Sequence, residues 1–207
     1  MIKEILEWIL CIIIALILAL LFRYFIGTPT SVKQKSMFPT LQENQRLILN
    51  RTFRITGKLP KRGDIITFEA PSKSYDSKSD ADQSNPIASY ENEPKGLFKK
   101  FLYYNLEITK TSYIKRVIAL SGEHVKIENG KVYINGAELK EDYLSDDVIT
   151  ESNVFYDFIV PKNYIFAMGD NRPNSLDCRE FGCIPISKIE GVLAFRFLPI
   201  NLFGKVK

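Results

Sequence analysis

The chain has 207 residues, is 45% hydrophobic, and carries 28 Lys and Arg against 24 Asp and Glu for a formal net charge of +4. That length holds one domain plus an appended segment, and the apolar share excludes a disordered or fibrous chain. The positive excess is spread along the sequence rather than gathered into a stripe, which argues against nucleic acid as a partner and is compatible with an anionic membrane surface.

Trp8 to Phe22 is uninterruptedly apolar, and extending it from Ile5 to Ile26 takes in Glu7 and Arg23 near its ends. The extended run reaches the roughly 20 residues a bilayer span needs, with its two charges placed where long side chains snorkel. Arg23-Tyr24-Phe25-Ile26-Gly27-Thr28 follows, without a small-x-small cleavage site, so the segment reads as an uncleaved anchor over residues 1–27 rather than a removed leader. On its amino-terminal side Lys3 is offset by Glu4 and Glu7, whereas Arg23, Lys33 and Lys35 follow the span. Counting those charges alone places the rest of the chain in the cytoplasm.

Directly after the span comes Gln34-Lys35-Ser36-Met37-Phe38-Pro39-Thr40. The chain has a single histidine, so a nucleophilic Ser36 calls for a base other than imidazole, and a buried lysine is the natural substitute. By itself the serine is weak evidence, since a turn also places a serine beside Met-x-Pro.

Short strands follow. Arg46 to Asn50, Asp64 to Glu69 and Tyr113 to Leu120 are rich in Ile, Val and aromatics between turn residues. Val125–Glu128 and Lys131–Ile134 alternate around Asn129-Gly130, a two-residue hairpin signal, and Asn135-Gly136 marks a second turn. Phe155 to Val160, Tyr164 to Met168 and Gly191 to Phe197 complete a mainly antiparallel β body spanning 28–207. Residues 72–94 are Ser-, Asp-, Asn- and Pro-rich, with little that packs, and read as a flexible polar insertion extending to about 112. Within it, Lys95 to Tyr104 interleaves lysines with aromatics, which suits either a segment lying on a membrane surface or an edge helix packed on the sheet.

Lys115 sits between Ile114 and Val117 in a strand that otherwise reads as core. Burial lowers a lysine from about 10.4 by several units and fits it to accept a proton near neutrality. The alternative is that strand alternation turns it outward. The stretch Met168 to Gly182 holds more Gly, Asn, Asp, Arg and Ser than a turn requires. There Asp177 and Arg179 suit a bracing ion pair, and Ser175 suits a hydrogen bond that orients an amine. A competing base is His124 with an aspartate, although Ser121–His124 reads as an exposed turn between strands. Cys178 and Cys183 either pair in an oxidising compartment or stay free. No metal and no cofactor is expected.

Together, Ser36-Met37-Phe38-Pro39-Thr40 after an anchor, Arg62-Gly63-Asp64-Ile65-Ile66, Tyr113-Ile114-Lys115-Arg116-Val117, and Gly169-Asp170-Asn171-Arg172 with Asn174-Ser175 and Asp177 resemble the type I signal peptidases of bacteria, in the single-span Gram-positive form. The blocks occur in that family's order and cover most of the chain outside the insertion. The resemblance implies a mainly β, antiparallel coiled-sheet or partial-barrel catalytic domain and a serine endopeptidase that removes signal peptides from exported preproteins after small residues. It implies Ser36 as nucleophile, Lys115 as general base and Ser175 as the serine that positions the lysine. It implies an oxyanion site at the Ser36 backbone N–H; where some relatives add a serine hydroxyl as second donor this chain has Gln34, so either its side-chain amide substitutes or the site relies on backbone alone. Val32, Met37, Leu41, Tyr113 and Ile114 are implied to line shallow apolar substrate pockets, Asp170, Asn171 and Arg172 to shape the site, and Asp177 with Arg179 to brace it.

The implied partners are preprotein signal peptides and a phospholipid membrane. The implied place is the cell membrane, with the catalytic domain on the extracytoplasmic side, against the charge count. Gln34 stands where relatives carry Ser, Gly or Asp, Lys35 where a small residue is common, Cys178 where serine is more usual and Phe181 where tryptophan is frequent. Those departures and the insertion are compatible with a second reading, a dedicated peptidase or binding helper for pilin or surface-protein maturation.

Overall fold

The computed structural model describes residues 2–91, 94–107 and 110–206. Met1 of the expected anchor, Asn92, Glu93, Ile108 and Thr109 of the expected insertion, and Lys207 of the expected β domain lie outside the described residues. A largely apolar sequence without Gly or Pro, its charges confined to Lys3, Glu4, Glu7 and Arg23, forms α1, Ile2–Phe25, none of whose residues is fully buried within the chain. Its 24 residues extend about 36 Å at helical rise, long and apolar enough to cross a membrane. At its end Gly27 turns the chain into a strand at a point where a Cβ would stand 2.9 Å from Leu49 O.

Among the described residues the strands are β1 (Gly27–Ser31), β2 (Arg46–Asn50), β3 (Ile65–Glu69), β4 (Ser112–Ala119), β5 (His124–Glu128), β6 (Lys131–Ile134), β7 (Ala137–Glu138), β8 (Asp157–Ile159), β9 (Tyr164–Met168), β10 (Ile184–Pro185) and β11 (Ile189–Leu198). The helices after α1 are the short α2 (Phe53–Thr56), α3 (Leu97–Phe101) and α4 (Cys178–Phe181). A seven-stranded sheet has the order β1-β2-β11-β3-β4-β9-β10, and a four-stranded sheet has the order β7-β6-β5-β8. Every strand pairing in both is antiparallel. The fold is therefore mainly β with one apolar amino-terminal helix.

Local chemistry explains most of these elements. Asn129 and Gly130 adopt φ of 52° and 78°, and Asn135 and Gly136 adopt 53° and 83°. These are the left-handed pairs that tight hairpin turns require and that Asn-Gly tolerates. Strand β1 escaped the sequence reading because Gly-Thr-Pro-Thr-Ser has no apolar alternation. It is held by pairing with β2 and, as an edge strand, accommodates Pro29.

The main core draws on both sheets, with Phe68, Val117, Val125, Phe155, Phe158 and Phe166 among its buried members. The 72–94 stretch corrects its expectation of having little that packs. Tyr75, Ala81, Ala88 and Tyr90 lie against this core, the Tyr75 and Phe155 rings meet edge to face at 6.1 Å, and Ala88 N–H donates to Cys183 O at 2.9 Å. A smaller cluster of Val32, Met37, Leu41, Leu47 and Ile65, with Ile114 and Leu193 against it, sits under the loop joining β1 to β2.

Candidate active site

That loop carries Ser36. It is closed at its base by Val32 N–H donating to Gln45 O at 3.0 Å and Asn44 N–H to Val32 O at 2.9 Å, and it is wound by Leu41 N–H donating to Met37 O at 2.8 Å. Met37 and Leu41 plug the loop into the small cluster, which leaves Ser36 at its mouth, only 6% exposed. Buried position and polar side chain conflict here, because Ser36 Oγ has no hydrogen-bond partner among the described residues. An unsatisfied buried hydroxyl is costly and therefore calls for an explanation in function.

Lys115 comes to the same place from β4. Tyr113 and Lys115, two residues apart on one face of the strand, line a cleft of about 240 Å³ with Gln34, Lys35 and Ser36 from the β1–β2 loop and Asn174 and Leu176 from the loop after β9. Alternation does not turn Lys115 to solvent: it is 1% exposed, and its neighbour Arg116 is also buried, because both faces of β4 are covered. Burial draws the Lys115 ammonium down from 10.5 to about 8, against the opposing pull of Asp177. Its Nζ stands 5.6 Å from the Tyr113 ring centroid.

The third wall is the loop that leaves β9. Gly169 packs between the nucleophile and Ser175: a Cβ there would fall 2.2 Å from Ser175 Oγ and 2.3 Å from Ser36 O. The Ser175 hydroxyl is buried beside the Ser36 backbone and, like Ser36 Oγ, lacks a hydrogen-bond partner among the described residues. The expected bond from Ser175 to Lys115 is thus not formed in this structure.

Asn171 fastens the two loops together. Its N–H donates to Ser36 O at 3.0 Å and its Nδ2 to Lys35 O at 3.0 Å. Asp170 accepts from Arg116 Nε at 2.9 Å, Arg116 Nη2 at 2.7 Å and Thr40 Oγ1 at 2.6 Å. Arg172 is buried, donates to Gly169 O at 3.1 Å and pairs with Glu141.

Beneath them Arg179 binds Asp177 through Nε and Nη2, both at 2.9 Å, and its Nη2 also donates to Arg172 O at 2.7 Å and Ser175 O at 3.2 Å. The 172–175 turn is thereby wound around one guanidinium. Burial alone would raise the Asp177 carboxyl, but Arg179 and the Gly169 N–H together hold it below its usual value. The charge stays on the carboxylate, and with it the brace.

Of the residues expected to line substrate pockets, Tyr113 lines the cleft and Ile114 packs against the small cluster. Val32, Met37 and Leu41 are buried beneath the loop rather than on an open wall. The competing base is elsewhere: His124 pairs with Asp157 at 2.7 Å between β5 and β8 in the smaller sheet, both half exposed, and does not line the cleft. Cys178 and Cys183 are both free and buried, and burial pushes both thiols up, away from reactivity. Among the described residues no group of three or more His, Cys, Asp or Glu is placed to hold a metal ion.

Sequence reasoning missed the structural work of Arg116 and Thr40. Two adjacent cations in an apolar strand were the available signal for Arg116, since alternation lets a half-exposed sheet turn only one outward. Thr40 offered no signal, because its partner lies 130 residues away.

Residues 5–198 match the family model described as signal peptidase, peptidase S26. Signal peptidase I P of Bacillus subtilis subsp. natto is 36% identical over 99% of this chain and 95% of that protein. Signal peptidase I T of Bacillus subtilis (strain 168) is 34% identical over 98% and 90%, and probable signal peptidase I-1 of Synechocystis sp. is 32% identical over 94% and 83%. The crystal structure of a signal peptidase I from Enterococcus faecalis V583 aligns with 66% of this chain and 98% of that one at 30% identity and a TM-score of 0.42.

Proposed function

The chain belongs to the signal peptidase, peptidase S26, family and is a protease, and from that premise we propose a membrane-anchored endopeptidase in which Ser36 attacks the substrate and Lys115 is its base. The family's substrates are preproteins bearing signal peptides. The observation that carries the residue assignment is one cleft containing a buried, unpartnered serine hydroxyl and a buried lysine drawn down to about 8.

Neutral Lys115 takes the proton from Ser36 Oγ as that oxygen bonds to the scissile carbonyl carbon. The carbonyl π electrons move to the oxygen, which the Ser36 backbone N–H and the Gln34 side-chain amide at the cleft mouth stabilise. Collapse breaks the C–N bond, and the Lys115 ammonium returns the proton to the departing amine. Again neutral, Lys115 draws a proton from a water as it bonds to the ester carbonyl; the acyl C–Oγ bond then breaks, the Lys115 ammonium returns the proton to Ser36 Oγ, and the carboxylic product leaves. Ser175 positions the lysine amine once a substrate closes the cleft, a role supported by its buried, unsatisfied hydroxyl.

Asp170 and Asn171 hold the nucleophile loop, Arg172 fixes Gly169 in the loop facing it, and Asp177 with Arg179 holds the loop that carries Ser175. Tyr113 shapes the pocket beside the reacting bond, and Ile114, Val32, Met37 and Leu41, packed together beneath the loop, set its depth from below. A shallow pocket of this kind selects small residues by volume.

In the same reading α1 spans the cell membrane and places the catalytic domain on the extracytoplasmic side, where exported substrates emerge. Cys178 is buried and therefore silent to impermeant labels. An exposed Ser79→Cys is the suitable reporter of side, and labelling only after the cell is opened overturns the orientation.

The test of function is to incubate the detergent-solubilised full chain with preproteins and sequence the new amino termini. Cuts after small-x-small are expected, with Ser36→Ala and Lys115→Ala each losing at least about 10³-fold. Unchanged cleavage by Ser36→Ala overturns the assignment.

A further inference from the structure

Glu107 ties the far end of the insertion to the end of α1. Its carboxylate accepts from Arg23 Nη2 at 3.3 Å and from Arg51, which is buried. The Arg51 N–H in turn donates to Ile26 O at 2.9 Å, and Arg54 Nη1 donates to Tyr24 O at 3.0 Å with its guanidinium over the Tyr24 ring. Glu107 directly follows a helical run, α3 continued by a wider turn over Leu102–Leu106.

One side of that run is fixed to the body. Tyr103 OH donates to Glu69 at 3.1 Å, and Glu69 with Glu190 holds Lys110 at 3.5 and 2.8 Å. The other side is bare. Leu97, Phe98 and Phe101 are 91%, 73% and 41% exposed, and spacings of three and four residues gather them on one helix face. Lys95, Lys99 and Lys100 beside them are exposed, and residues 95–106 contain no acidic side chain.

We propose that Lys95–Phe101 is a second membrane contact, lying in the interface of an anionic phospholipid bilayer next to the α1 span. Leu97, Phe98 and Phe101 enter the acyl boundary, and the three lysines meet headgroup phosphates. The inference rests on the reading of α1 as a span, which is what brings a bilayer to Arg23 and Glu107. Charge complementarity and this continuity with the span select a lipid surface over a second copy of the chain.

A single helix leaves a domain free to swivel about it. Two contacts clamped through Glu107 remove that freedom and fix the height of β4, which the insertion feeds and which carries Tyr113 and Lys115.

The chain's one tryptophan, Trp8, lies in α1 and reports the span itself. In vesicles carrying brominated acyl chains, Trp8 of the native full chain is quenched. If it is not, the span reading fails and this contact with it. The contact is read separately from Phe98→Trp in a Trp8→Phe chain, using phosphatidylcholine vesicles with and without phosphatidylglycerol. Quenching by lipid brominated near the headgroup end is expected, about twofold greater with phosphatidylglycerol and reduced there by Lys95→Gln, Lys99→Gln and Lys100→Gln together. Trp8 quenched with the Phe98→Trp indole unquenched in both vesicles overturns the contact alone. So does quenching that ignores phosphatidylglycerol, or an unquenched blue-shifted emission that grows with protein density, the signature of a second copy.

Discussion

Arg116 grips both carboxylate oxygens of Asp170, Nε to Oδ1 at 2.9 Å and Nη2 to Oδ2 at 2.7 Å, from the position next to Lys115. Both partners are buried, so removing Asp170 takes from Arg116 its bidentate carboxylate in the interior. Asp170→Ala is expected to lower stability by about 3–5 kcal/mol in chemical denaturation. It also frees Thr40, so cleavage falls beyond what the unfolded fraction explains. Asp170→Ala with unchanged stability would show that the pair braces nothing.

The pH profile follows from the base having to be neutral. Burial brings Lys115 to about 8, so kcat/KM is expected to climb as pH rises toward about 8 and to level off above it. A profile flat on both sides of pH 8 is inconsistent with Lys115 as the base.

The same burial makes Lys115 a cost to folding. Its pKa is about 8 in the folded chain against 10.5 when exposed, so between those values the unfolded chain binds the extra proton and stability rises with pH. Below about 8 the full penalty applies, about 3 kcal/mol. Lys115→Met is expected to be inactive yet more stable than the native chain at pH 7, with the advantage gone near pH 10.5. Thermal unfolding at both pH values measures it, and a lead that persists at the higher pH would trace the gain to packing instead.

Gly169→Ala is expected to abolish cleavage. The added methyl group meets Ser175 Oγ and Ser36 O at little more than 2 Å, and the Ser36 contact is backbone held by Asn171. Strain therefore passes into both loops, and activity falls by about 10² or more even where the protein folds. Near-native turnover would mean the two loops separate easily.

His124→Ala is expected to keep cleavage within about twofold, because the His124–Asp157 pair is a half-exposed link in the smaller sheet, and exposed pairs contribute little. Loss of activity in a folded variant would reinstate a histidine base.

Legibility tracked the range of the interactions. Asn129-Gly130 announced its turn because the requirement for positive φ is met by those two residues alone. Lys115 was legible as a cation in an apolar strand, but its burial was undecided until β4 proved to be covered on both faces. Sequence could mark Asp177 and Arg179 as a pair two positions apart. It had no means of marking Asp170 with Arg116 and Thr40, which are distant in the chain and join only when β4 pairs with β9 and the β1–β2 loop folds over both. The 72–94 stretch misled through composition: a few tyrosines and alanines suffice to pin a polar segment when their backbone neighbours find partners such as Cys183.

Asn171 takes hold of Lys35 and Ser36 by their carbonyl oxygens, a handle that every amino acid offers. The grip is blind to side chains, so exchanging the groups at positions 34 and 35 leaves the nucleophile where it is. Lys35 is exposed at the mouth of the cleft on that frame, and its chemistry can be retuned toward one substrate or another while Ser36 and Lys115 behind it stand still.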